Sequence, residues 1–477
     1  MINVITVHSE KCSDVTDLNV VVLKHGTTPP KELSKYKAAI DKLDVDKELD
    51  SLLISEPHEN VANTLIVSTN RTTEQAKTVK FDTKLNDLIV GTINKVKAKD
   101  VCIRDSHFIN NETLATALVV NSYKYENIGD YTECDIAVEL YNVAKKRVDA
   151  TDEVVAKGEA MGRGINYARF LGDLPANYCN PSFLCSEAME LAEGDDHVNV
   201  RIITEEMLEE MGAGSFVSVS KGSIESGRMI IIEYNNFGDA QPSALVGKGV
   251  TFDSGGISLK PGARMHEMKF DMLGSAAVMG AMKTLIESNS QCNVVAVIGA
   301  AENMPSDRAT KPGDVVTSLS GQTIEVQNTD AEGRLILCDC LTYVQDNYNP
   351  CNIIDVATLT GACAAALGSH ATGIFTNNEE FADGLRVRGQ ELNEKLWELP
   401  IWDEYDKQLD SNVADMANIG TPGAGASTAA CFLNRFVDKD TPWVHMDIAG
   451  TAWKGGKATG VGVKTLVKSA EDVSYGE

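Results

Sequence analysis

The 477-residue chain has no apolar run long enough to cross a bilayer, which takes about 20 residues; the run Val294–Ala301 stops well short. Basic residues are scarce. Forty-three Lys and Arg face 69 Asp and Glu, giving a formal net charge of −26 and an isoelectric point near 4.7. So acidic a surface repels phosphate backbones and anionic lipid, and no Lys/Arg-rich arm offsets it, which argues against nucleic-acid and membrane partners. Met1–Glu10 has no basic stretch followed by an apolar one, so no secretory signal is expected. The 11 cysteines are odd in number and follow no repeated spacing. They read as reduced thiols of a cytoplasmic protein rather than a disulfide framework. Cys338 and Cys340, a close pair without a second pair, read as packing residues. A phosphate-cradling G-x-x-x-x-G-K-[ST] loop is missing. So is a zinc-protease helix motif: His266-Glu267 begins like H-E-x-x-H, but Phe270 stands where the second histidine belongs.

What is present is ordinary globular material. An apolar share of 43% and a charged share of 23% exclude wholesale disorder and a coiled-coil rod. At about 150 residues per domain the length fits two or three domains. Residues 1–150 read as a smaller N-terminal α/β domain. Its expected strands are Asn19–Leu23, Leu52–Ile54, Thr64–Val67 and Leu88–Ile93, and its expected helices Thr113–Asn121 and Asp135–Ala150. Helix-spaced apolar residues predict a connecting helix over 151–174, ended by the breakers of Asp173–Pro181. In residues 175–477, strands are expected at Val198–Ile203, Met229–Tyr234, Ala244–Val250, Asn293–Ala300, Asn352–Ala357 and Trp443–Ile448. Helices are expected at Ser182–Ala192, Ser275–Glu287 and Asp330–Gln345. That alternation predicts a larger α/β domain whose central sheet, mostly parallel or mixed, is flanked by helices.

The chemistry concentrates between Ser243 and Leu335. An apolar strand carries Lys248, Asp253 follows five residues on, and Gly255-Gly256 lets the backbone turn tightly beside it. Asp271 comes next, then Asp330 and Glu332, two apart, whose carboxylates would share one side of an extended stretch. Any one of these acids alone reads more simply as a helix cap or a solvated loop residue. Together, four carboxylates without a histidine match two divalent cations. Oxygen-rich sites suit magnesium and manganese, and zinc accepts carboxylate and nitrogen.

The stretches Val246–Pro261 (VGKGVTFDSGGISLKP) and Asn328–Leu335 (NTDAEGRL) resemble the two signatures of the leucyl (cytosol) aminopeptidase family, in its bacterial type. Pro175–Pro181, Thr358–Gly361 and Asp447–Trp453 are similar to the same family, so the resemblance runs from about residue 155 to 460. It implies a metallo-exopeptidase that releases N-terminal leucine and other apolar residues from peptides by metal-activated water attack. The implied metal ligands are Lys248, Asp253, Asp271, Asp330 and Glu332, holding two divalent ions per subunit: manganese or zinc, with magnesium or cobalt as alternatives. Asp253 and Glu332 would bridge. Lys260 and Arg334 are the implied catalytic residues, and Arg334, Gly333 and Leu359 the implied bicarbonate site. Met268, Thr358, Gly361, Ala449 and Ala452 match the family's side-chain pocket, with nothing cationic to pair an acidic side chain. The resemblance also implies a cytoplasmic homohexamer, a dimer of trimers. Two other readings of the residues stay open: a different two-metal hydrolase such as a phosphatase, and an additional DNA-binding role, against which the charge weighs.

Overall fold

The computed structural model describes residues 2–475 except 8–15, 26–30, 45, 56–60, 72–77, 105–108, 128–129, 134–135 and 142–147. The chain falls into two compact units, residues 1–126 with 130–163, and residues 127–129 with 164–477. The first is built on six strands: β1 (Ile2–Val7), β2 (Thr16–Lys24), β3 (Leu49–Ile54), β4 (Val61–Thr69), β5 (Asp100–Arg104) and β6 (Ile136–Tyr141). They lie in the order β1-β6-β5-β2-β4-β3, parallel throughout except for the antiparallel edge strand β3.

Two expected elements fail here. Leu88–Ile93 lies inside the helix α1 (Val79–Val96), not in a strand. Phe81, Leu85, Ile89 and Ile93 are fully or almost fully buried and recur every fourth residue, a helical stripe that six apolar residues read alone conceal. Residues 136–141 of the expected helix Asp135–Ala150 form β6, because pairing with β1 on one side and β5 on the other overrides local preference. Asp135 and residues 142–147 of that expectation lie outside the described residues. Helices α2 (Asn111–Ser122) and α3 (Val148–Asp173) lie where helical spacing placed them. Cys102, buried in β5, is disulfide-bonded, contrary to the all-thiol reading, whereas the eight cysteines from Cys179 to Cys431 are free. A single bonded cysteine leaves no spacing signature to read.

The second unit carries an eight-stranded sheet. Its strands are β7 (Val198–Thr204), β8 (Arg228–Asn235), β9 (Ser243–Asp253), β10 (Asn293–Asn303), β11 (Asn352–Ala357), β12 (Thr372–Thr376), β13 (Leu396–Glu398) and β14 (Trp443–Asp447). They lie in the order β13-β12-β14-β11-β9-β10-β8-β7. The central four are parallel, and antiparallel β8 and β12 flank them, so the sheet is mixed. Near-continuous apolar runs such as Leu245-Val246 and Val295–Ile298 are buried because helices cover both faces. Helix α4 (Leu273–Glu287) packs where Gly247 faces it, and α5 (Gly333–Tyr348) packs on Gly299 from the other side. The parallel strands end together in Asp253, Asn303, Ala357 and Asp447. In open α/β sheets that carboxyl edge is where ligands bind.

Candidate metal centre

Lys248 and Asp253 are five residues apart on β9, an odd separation that would send their side chains to opposite faces of a regular strand. A bulge corrects the phase. Val250 pairs with Ala301 but Phe252 with Glu302, so one extra residue is inserted at Thr251 and Asp253 comes to stand opposite Asn303. Gly255 follows with φ +89°, and a Cβ there would lie 2.8 Å from Asp330 Oδ1. Asp271 is supplied by the 3-10 segment Met265–Met272, which runs into α4. Asp330 and Glu332 do not lie in an extended stretch. They sit in the turn before α5, with Glu332 at its N-cap in helical conformation (φ −82°, ψ −35°). Gly333 allows that turn to press on the lysine, since a Cβ would meet Lys248 Cε at 2.6 Å.

Carboxylate oxygens of Asp253, Asp330 and Glu332 lie within 4.8 Å of one another. Lys248 Nζ contacts Asp271 Oδ1 and Glu332 Oε1, each at 2.7 Å, and donates to the Thr358 carbonyl at 3.0 Å. Lys260 Nζ lies 2.7 Å from Asp253 Oδ2 and 2.5 Å from Asp330 Oδ1. All five expected ligands and Lys260 are thus brought into one cluster.

Burial pushes the carboxyls of Asp253, Asp271 and Asp330 up, Asp253 to about 7. At Glu332 burial pushes the same way, but Lys248 and Lys260 outweigh it and hold the carboxyl below its usual value. Burial disfavours the Lys248 ammonium, yet Asp271, Glu332 and Asp253 hold it charged. Four carboxylates against two ammonium groups leave two negative charges in excess when all are ionised. Asp271 Oδ2 is buried without a hydrogen-bond partner among the described residues. Surplus charge, raised carboxyls and a spare buried oxygen fit divalent cations. Such ions would neutralise the same carboxylates that keep Lys248 protonated, which frees its amine to act as a ligand.

Around the cluster the expected residues divide. Thr358 gives its hydroxyl to Asp271 Oδ1 at 2.8 Å, so it braces one of the expected ligands. Ala452 is buried, Met268 and Ala449 are half-buried, and Gly361 is exposed with open space where a side chain would start. Arg334 is buried, donates to the Asn418 carbonyl at 2.9 Å, and is pushed down by burial to about 10, still charged at neutral pH. With Gly333 opening α5, it fits an anion at a helix N-terminus. The Leu359 N–H is already committed to Asp447 Oδ1 at 3.1 Å. His266 is exposed, and Cys338 and Cys340 are buried in the core.

Three positions escaped the sequence reading of side-chain roles. Asp447 accepts from the Thr360 hydroxyl at 2.7 Å and from the Ala449 N–H at 3.1 Å, tying the two loops that carry the expected pocket residues. Fully buried Asn418 accepts from Gln327 N at 2.9 Å and donates to the Asn328 carbonyl at 2.7 Å, bracing the turn of Asp330 and Glu332. Asn303 donates to Asp253 Oδ1, an atom of an expected ligand, at 2.8 Å. Of these, only Asp447 stood in a quoted motif; nothing local to either asparagine signals its partners.

The family model described as the cytosol aminopeptidase family, catalytic domain, matches residues 166–467. A protein named probable cytosol aminopeptidase from Saccharophagus degradans is 55% identical over 314 residues, covering 65% of this chain and 62% of that protein. Proteins of the same name from Alcanivorax borkumensis and Nitrosococcus oceani are each 52% identical, covering 64% and 65% of this chain and 62% of their own lengths. The chain therefore matches about 62% of the length of these relatives.

Proposed function

The chain belongs to the cytosol aminopeptidase family, and on that premise we propose that it is a metal-dependent aminopeptidase releasing N-terminal leucine and other apolar residues from peptides. The observation that carries the reading is the convergence of Lys248, Asp253, Asp271, Asp330 and Glu332 at the carboxyl edge of the sheet, with surplus negative charge. We place the catalytic domain at 175–477, behind a connecting helix over 151–174 and an N-terminal domain over 1–150. Asp253, Asp330 and Glu332 would hold one cation, and Lys248, Asp253, Asp271 and Glu332 the other. Two such ions supply Lewis-acid polarisation of the peptide carbonyl and a nucleophile at neutral pH.

This chain's own side chains do the rest. Lys260 is a charged donor for the oxygen that gains negative charge at the attacked carbonyl. Burial works against its ammonium, but Asp253 and Glu332 outweigh that and hold it above the usual range, so it acts as a donor and not a base. Arg334 and Gly333 would bind bicarbonate, beside Leu359. Met268, Gly361, Ala449 and Ala452 offer apolar or small surface to the first side chain, and an unpaired carboxylate buried there would be costly. A cytoplasmic homohexamer belongs to the same reading, and the name of the relatives, cytosol aminopeptidase, supports its location.

The test is hydrolysis of Leu-, Met-, Ala- and Asp-amides before and after chelation. Leu and Met should be turned over well and Asp poorly, with activity lost on chelation and restored by manganese, zinc or cobalt. Full activity in a verified metal-free sample would sink the metal-dependent reading, and Asp equal to Leu the pocket assignment.

A further inference from the structure

Asn303 ends β10 and, because of the bulge in β9, stands opposite Asp253 in the parallel ladder. It is 4% exposed. Its Nδ2 donates to Asp253 Oδ1 at 2.8 Å and to the Thr329 carbonyl at 2.9 Å. Both neighbours are acceptors, so only the NH2 side of the amide can face them. The main-chain carbonyl of Asn303 accepts from Ser254 N at 3.0 Å and Ser254 Oγ at 2.7 Å.

The consequence for the carboxylates is specific. Asp253 Oδ1 also accepts from Gly255 N at 2.9 Å, so that oxygen is held twice while Oδ2 is left turned toward Lys260 and the cluster. Thr329 immediately precedes Asp330. One buried amide therefore ties the end of β9 to the turn before α5, the two stretches whose carboxylates must converge.

We propose that Asn303 is a positioning residue for cation binding: it decides which oxygen of Asp253 faces the cations and holds the turn of Asp330 and Glu332 at the matching distance. The inference rests on the site being a metal centre. Partners that orient metal ligands typically contribute about 10- to 100-fold in affinity. A merely structural asparagine would contribute to folding stability and leave affinity alone.

A control for that distinction exists in the same strand. At the other end of β9, Ser243 Oγ donates to Asn352 Oδ1 at 2.6 Å in a buried pair joining β9 to β11. At about 3.3 Å per residue it lies roughly 30 Å from Asp253. Zinc affinity of the full chain is measured by chelator competition for wild type, Asn303→Leu, Asn303→Ala and Ser243→Ala, alongside thermal unfolding in metal-free buffer. Asn303→Leu, which keeps volume but not the donors, should bind zinc about 10- to 100-fold more weakly. Ser243→Ala should unfold at lower temperature with wild-type affinity. Should Leu and Ala fail to fold, Asn303→Ser, with one donor left, should show a smaller loss in the same direction. Wild-type affinity in the folded Asn303 variants, or an equal loss in Ser243→Ala, overturns the role of Asn303 alone. A wild-type chain that takes up no zinc overturns the metal centre as well.

Discussion

Lys260 and Arg334 are both cationic, but their surroundings give them different work. Lys260 sits on Asp253 and Asp330, two of the proposed ligands. Arg334 is anchored on the Asn418 carbonyl, beyond them in the chain. Lys260→Ala removes a positive charge from the carboxylates, so metal content should hold or rise while turnover falls. Loss of one such transition-state donor costs about 100- to 1,000-fold in kcat. Arg334→Ala should likewise lower kcat more than it raises KM, with metal content unchanged. Steady-state kinetics with elemental analysis reads both. A wild-type rate in Lys260→Ala would take that residue out of the mechanism.

Strand pairing does as much as the side chains to assemble the site. The bulge at Thr251 brings Lys248 and Asp253 to the same cluster, and the β11–β14 pairing sets Asp355 beside His445. Within that second pair His445 Nδ1 lies 2.5 Å from Asp355 Oδ1, while Trp443 Nε1 donates to Asp355 Oδ2 at 2.7 Å, all fully buried. Burial pushes the imidazole down, but Asp355, helped by Asp447, outweighs it and holds the group above its usual value despite Arg334. A histidine raised on folding adds stability that is fully present below its unfolded pKa of about 6.5 and is lost as pH rises through the folded value. The stability difference between wild type and His445→Gln should therefore be largest below about pH 6.5 and shrink above it. Denaturant unfolding across that range checks it; a difference independent of pH would show that the imidazole gains no proton affinity on folding.

Taken whole, the molecule carries a charge of −26, and a homohexamer would bring six such chains together. Like charges oppose that assembly at low ionic strength, and salt screens them over about 10 Å at 0.1 M. Light scattering should give about six times 51.4 kDa at moderate salt, with smaller species favoured as salt is removed. A monomer mass at every salt concentration would refute the hexamer. At this scale too the limits of sequence reading become visible. Six of the eight strands of the larger sheet were legible, the central ones because buried parallel strands are written as continuous apolar runs, whereas β12 and β13 were not expected. The identity of the clustered residues was legible through the stretches Val246–Pro261 and Asn328–Leu335, with Asp271 added between them by the same family resemblance. Leu88–Ile93 and residues 136–141 were not, since a short apolar run suits either state until distant partners choose. The phase of Lys248 against Asp253, the turn of Asp330 and Glu332, the bonded Cys102 and the amide of Asn303 belong to the tertiary structure alone. Each depends on which distant residue lies opposite, and local spacing carries no record of that.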